Sequence, residues 1–254
     1  VTGRVAAPVV RTRRPAPRAQ LLLALGLALG VAVCCPPLAT LARRSEVADA
    51  VQFGVLALAV PSLVALGAPW WLGLDAVARW IARHRRGAAA GVGALVAEVG
   101  VVVAWRTTSA VGAVQASPAL VVLEAASLLI AGVALWTALV TSPPLEPCAP
   151  PRRLVLSAVA MWAVWIVAYV LGMAHGQGYS GFAHTPGGLS GAADRQAATA
   201  VLFAAAAAAY LPIVFTSLFA WLAAEERRGA ADTRRRLATP ATTGVRREDV
   251  RPAG

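Results

Sequence analysis

Residues Pro118–Val140 read PALVVLEAASLLIAGVALWTALV, and one residue in that run, Glu124, carries a charge. A bilayer hydrocarbon core needs about 20 consecutive apolar residues per helix, so the run is long enough to cross it. Other runs of this kind lie on either side: Ala19–Leu41, Val47–Leu74, Ala88–Trp105, Leu154–Ala174 and Ala197–Ala224. Ala88–Trp105 is the shortest of them. The whole chain of 254 residues agrees, with 58% apolar and 14% charged residues and a mean hydropathy of +0.66. Soluble domains run about 45–50% apolar and about 25% charged. A soluble globular enzyme is therefore excluded. So is a disordered chain, which requires low hydrophobicity. The expected fold is all-α, a polytopic transmembrane bundle of about six helices. The alanine run Ala204–Ala209 in the last span lets neighbouring helices approach closely.

All 23 basic residues are arginine, against 12 acidic ones, giving a formal charge of +11. The arginines lie between spans and in the two tails, so the partner expected for them is anionic lipid and not nucleic acid. Three segments are expected: a basic N-terminal tail over 1–18, a helical membrane domain over 19–228, and a disordered basic tail over 229–254. With six spans and a cytoplasmic N-terminus, only Arg43, Arg44, Arg106 and Arg195 fall outside. That distribution obeys the positive-inside rule with both termini cytoplasmic, in a bacterial-type plasma membrane. Trp70, Trp71, Trp80, Trp105, Trp136 and Trp221 fall near span ends, where interfacial tryptophans belong. Cys34-Cys35-Pro36-Pro37 follows the first run where a signal peptidase would need small residues, so that run is read as a retained helix.

Ionisable residues inside spans are costly and mark candidate sites. Asp49, Glu98 and Glu124 all fall in the expected outer half, near Arg106, Asp194, Arg195 and Gln196. The cluster of Asp49, Glu98, Glu124, Arg106, Asp194 and Gln196 reads in two ways. It is a site open to the outer face for a metal, a proton or a partner. Or it is interhelical pairing, for instance Arg106 with Glu98 or Glu124. Soft ligands collect on the same side: Cys34 and Cys35 in the first span, Met173 and His175 at the outer end of the fifth. Sulfur with imidazole suits Cu(I), whereas buried Cys and Met otherwise simply pack. No phosphate loop, Cys-x-x-Cys, His-Glu-x-x-His or Gly-x-Ser-x-Gly occurs, so no enzyme activity is expected.

The second span carries a resemblance. Asp49-Ala50-Val51-Gln52-Phe53 leads through Ala59-Val60-Pro61 to Leu66-Gly67-Ala68-Pro69. Later come Trp105, then Glu124, Ser127, Ala131, Gly132 and Trp136, then Ala193-Asp194-Arg195-Gln196, and finally Glu225-Glu226-Arg227. In this order the stretches resemble the CtaG family of cytochrome c oxidase assembly proteins, over roughly residues 19–228. The resemblance implies a membrane chaperone that helps insert copper into the membrane subunit of the oxidase, with histidines as copper ligands. At the positions of those histidines this chain carries Asp49, Phe53, Arg106, Val121 and Ala125. Three outcomes follow. The protein serves oxidase assembly without metal; it holds copper elsewhere, at Cys34, Cys35, Met173 and His175; or it has another role. The rival classes are a small proton- or ion-linked transporter and a purely structural membrane subunit.

Overall fold

The computed structural model describes residues 16–72, 74, 76, 88–142, 145, 147–173 and 190–238. Helix α1 covers Pro17–Cys34 and is followed by the short α2, Leu38–Ala42. The second span is built from α3, Glu46–Gly54, a π-helical turn Val55–Ala59, and α4, Val60–Leu66. Then come α5, Ala88–Trp105, and α6, Thr108–Ala116. Helix α7 is Pro118–Leu139, α8 is Pro150–Met173, and α9 is Gly191–Ala238. The described residues form no named strand; Ser142 and Leu145 make one isolated bridge at a tight turn.

Among the described residues, five helices are long and apolar enough to cross a membrane: Pro17–Cys34, Glu46–Leu66, Pro118–Leu139, Pro150–Val170 and Gly191–Arg235. The pair Gly91–Trp105 and Thr108–Ala116, bent by 71°, makes a sixth if counted as one span. The shortest expected span, Ala88–Trp105, forms as one helix with those bounds, and the bend follows it. Thr107 starts α6 by accepting a hydrogen bond from Ala110 N on its side chain, which turns an expected loop into a helix.

The surface inverts the rule of soluble proteins. Val122, Ile130 and Phe219 are each more than 60% exposed, while Glu98, Arg106 and Asp194 are buried. Apolar side chains facing outward and charges facing inward are what a lipid solvent selects. The core joins Phe53, Leu128, Leu135, Leu156, Leu202 and Tyr210. Helix α9 packs most closely on α8 and then on α3, while α1 lies against α4 and α7 against α5 and α4. Ala205, in the alanine run, faces Gly54 of α3, and a Cβ at Gly54 would stand 3.5 Å from it.

Pro61 explains the π turn. It lacks an N–H, and its ring would clash with the carbonyl one turn earlier in a regular helix; the wider turn relieves that conflict. The ring then enters a notch in α7: a Cβ on Gly132 would stand 2.6 Å from Pro61 Cβ and Cγ. Only glycine permits this approach. Gly67 is equally constrained, since its Cβ would lie 2.6 Å from Leu23 Cβ.

Two expectations change. Trp70 and Trp136 are buried, not interfacial. Trp70 Nε1 donates to Ser142 Oγ at 2.9 Å, and Trp136 stacks on Tyr210. Helix α9 runs through Pro212 and does not stop at residue 228: it continues to Ala238, into the segment expected to be a disordered tail. Alanine and arginine there are good helix formers, and Arg228 Nη1 lies 2.6 Å from Glu225 Oε1 across one turn.

Candidate functional site

Helix α5 ends at Trp105, and Arg106 is the first residue beyond it, its N–H still donating to Val102 O. The bend into α6 sends the chain sideways, and the Arg106 side chain is buried in the bundle. Its Nη1 donates to Asp49 Oδ2 of α3 at 2.6 Å. Its Nη2 lies 3.7 Å from Glu124 Oε1 of α7. The guanidinium carbon sits 3.9 Å from the centre of the Phe53 ring. One cation thus joins α3, α5 and α7 through two carboxylates and an aromatic face. Guanidinium suits the task, because it is planar, always charged and able to donate to two acceptors while stacking on a ring.

These residues line a cavity of about 40 Å³, closed further by Gln52, Val121 and Arg43. That is room for only a few water molecules. Two neighbouring contacts brace it. Trp105 Nε1 donates to Ser127 Oγ at 2.8 Å, and Gln52 Nε2 donates to Val33 O at 2.6 Å.

Asp194 belongs to a separate network. From the first turn of α9 it accepts the Ser45 hydroxyl at 3.0 Å, Glu46 N–H at 2.7 Å and Val47 N–H at 3.4 Å. It thereby caps α3, where free N–H groups and the helix dipole favour a carboxylate. Arg195 Nε lies 3.4 Å from Glu46 Oε2 and ties the same two helices. Gln196 is exposed on α9.

Glu98 stands apart. It shares the buried stripe of α5 with Leu95 and Val102, and it is 2% exposed. Among the described residues neither of its carboxylate oxygens has a hydrogen-bond partner. The pairing of Arg106 with Glu98 considered from sequence is therefore not formed; Arg106 turns to Asp49 and Glu124. Tyr210 Oη and Trp136 Nε1 are likewise buried without partners. The two rings stack with centroids 5.4 Å apart and an interplanar angle of 11°. Sequence reasoning passed over Tyr210 and Glu46. The signal for Tyr210 was its place as the one polar-headed residue closing the alanine run of α9.

The candidate sulfur ligands come from two elements, Cys34 and Cys35 at the end of α1 and Met173 at the end of α8. Cys34 lines a larger apolar cavity of about 540 Å³ between α1, α4 and α7, with Gly30, Val121, Ala125 and, at its rim, Arg43. Cys35 is exposed, and both are free thiols. Met173 is exposed at the end of α8. His175 lies outside the described residues, as do His184 and most of the segment 176–191. Among the described residues, no three His, Cys, Asp or Glu side chains meet as a metal site requires.

Four of the positions that carry histidine in the resembling family, 49, 53, 106 and 121, line the small cavity around Arg106, and the fifth, 125, lines the larger one beside it. The matching motif residues do structural work: Gln52, Pro61, Gly67, Trp105, Ser127, Gly132 and Asp194 each make one of the contacts described above. The family model of the cytochrome c oxidase caa3 assembly factor (Caa3_CtaG) matches residues 4–224. No curated protein and no solved structure matches the chain. With a match over most of its length and with helices built to cross a membrane, the chain belongs to the cytochrome c oxidase caa3 assembly factor family.

Proposed function

We propose that this protein assists cytochrome c oxidase assembly as a non-catalytic chaperone, by contacts with a membrane subunit of the oxidase, and that Arg106 replaces a metal ion at its polar centre. The observation that carries the reading is the guanidinium lodged between Asp49, Glu124 and Phe53. A copper ion does not fit these residues. Phe53, Val121 and Ala125 offer no ligand atom, Arg106 has donors only and a permanent positive charge, and the two carboxylates already face it. A cation is still present, but it is covalently part of α5 and cannot be handed on. The arginine distribution supports a bacterial plasma membrane location with both termini cytoplasmic, a topology in which the Arg106 cavity lies toward the outer face. Anionic lipid is the counter-charge for the remaining arginines.

Copper held through Cys34, Cys35, Met173 and His175 is the competing reading. Elemental analysis of the purified protein after Cu(I) loading under reducing conditions separates the two. Copper at background, with oxidase activity lost on deletion and restored by the wild-type chain, supports assembly without metal. Stoichiometric copper that disappears in the Cys34→Ser/Cys35→Ser variant overturns it in favour of a relocated site. Normal oxidase assembly in the deletion strain removes the assembly role itself.

A further inference from the structure

The residue left unexplained by this reading is Glu98. It is 2% exposed, lies on the inward stripe of α5, and has no hydrogen-bond partner for either oxygen among the described residues. The helices packed on α5 bring no cation to it. On α7 the ionisable residue is Glu124, which faces Arg106. On α8, Tyr169 is exposed, and Arg152 and Arg153 both lie close to the helix start at Pro150, with Arg153 near Cys148. Helix α6 has no ionisable residue. On α9 the group within electrostatic reach is Tyr210, whose buried hydroxyl also lacks a partner. A carboxylate ion in such surroundings is far too costly to persist, and the usual response of an isolated buried acid is to take up a proton.

We propose that Glu98 is a proton-binding site at the centre of the bundle, holding its proton among the apolar side chains of the core and releasing it only when α5 parts from α7 and α8, the helices packed on it, enough to admit water. The ligand is the proton itself, because none of the cavities described above reaches this point. Proton loss and helix separation are then linked. Whatever loosens α5 from α7 and α8 favours release, and alkaline conditions favour loosening. The inference does not rest on the assembly role, since it concerns a different residue and a different part of the bundle.

Infrared difference spectroscopy of the full chain in liposomes tests it. A protonated carboxyl gives a carbonyl stretch separate from amide and carboxylate bands. The expected result is such a band at neutral pH, lost in Glu98→Gln and kept in Glu124→Gln. No protonated-carboxyl band in the wild type overturns the proposal, as does a band undiminished in Glu98→Gln. Should Glu98→Gln fail to accumulate, the double variant Asp49→Asn/Glu124→Gln replaces it. Retention of the full band there supports Glu98 as its source, and loss of the band overturns it.

Discussion

Arg106 and Glu98 lie eight positions apart on one helix and its first following residue, roughly 12 Å along the axis, yet their surroundings are opposite. Around Arg106 the protein assembles two carboxylates and an aromatic face from two other helices. Around Glu98 it assembles apolar side chains and, within electrostatic reach, the Tyr210 hydroxyl, which has no hydrogen-bond partner among the described residues. The first arrangement fixes charge in place, and its cost of burial is offset by the partners. The second leaves a carboxyl that is tolerable only when neutral. Burial alone therefore does not say what an ionisable residue in a membrane does; its partners do.

Breaking the paired end has the largest expected effect. Arg106→Ala leaves Asp49 and Glu124 buried without their cation and should cost about 3–5 kcal/mol, read as a lowered unfolding midpoint in detergent. Adding Asp49→Asn and Glu124→Gln to that variant should recover part of the loss; no recovery would mean that packing, not charge, held the site. Asp194→Ala removes the acceptor for the start of α3 and should cost about 1–3 kcal/mol, with faster hydrogen exchange at Glu46 and Val47 as its local signature. Phe53→Leu keeps the apolar volume and removes the ring face from Arg106, a loss of about 0.5–2 kcal/mol in the same unfolding assay. Smallest is Glu98→Gln, which should change stability at neutral pH by less than about 0.5 kcal/mol, because a neutral amide replaces an already neutral acid. A loss as large as that of Arg106→Ala would make the two regions alike and remove the contrast.

Most of the fold was legible because hydropathy over about 20 residues reflects the one property a bilayer demands. Helix α6 was not, since Thr108–Ala116 is too short to register as a span and its direction is set by packing on α7. The members of the site were legible as departures from the family's histidines, but their convergence was not. Asp49 and Arg106 are 57 positions apart, and Ser45 and Asp194 are 149 apart. The choice between Glu98 and Glu124 as partner for Arg106 depends on the rotation of α5. That rotation turns Glu98 into the core, while Arg106, beyond the last helical residue, reaches α3 and α7. Trp70 and Trp136 misled for a related reason. Proximity to a span end suggested the interface, whereas Ser142 and Tyr210 gave them partners inside.

Helix α9 has 48 residues. That is roughly 72 Å of rod at 1.5 Å per residue, more than twice the ~30 Å hydrocarbon thickness. Its last turns, with Arg227, Arg228, Arg234 and Arg235, therefore stand clear of the hydrocarbon as a stiff mast. A mast holds whatever follows Ala238 at a set height above the lipid headgroups, and a deletion within it would lower that height by a fixed step per residue while rotating its charged face.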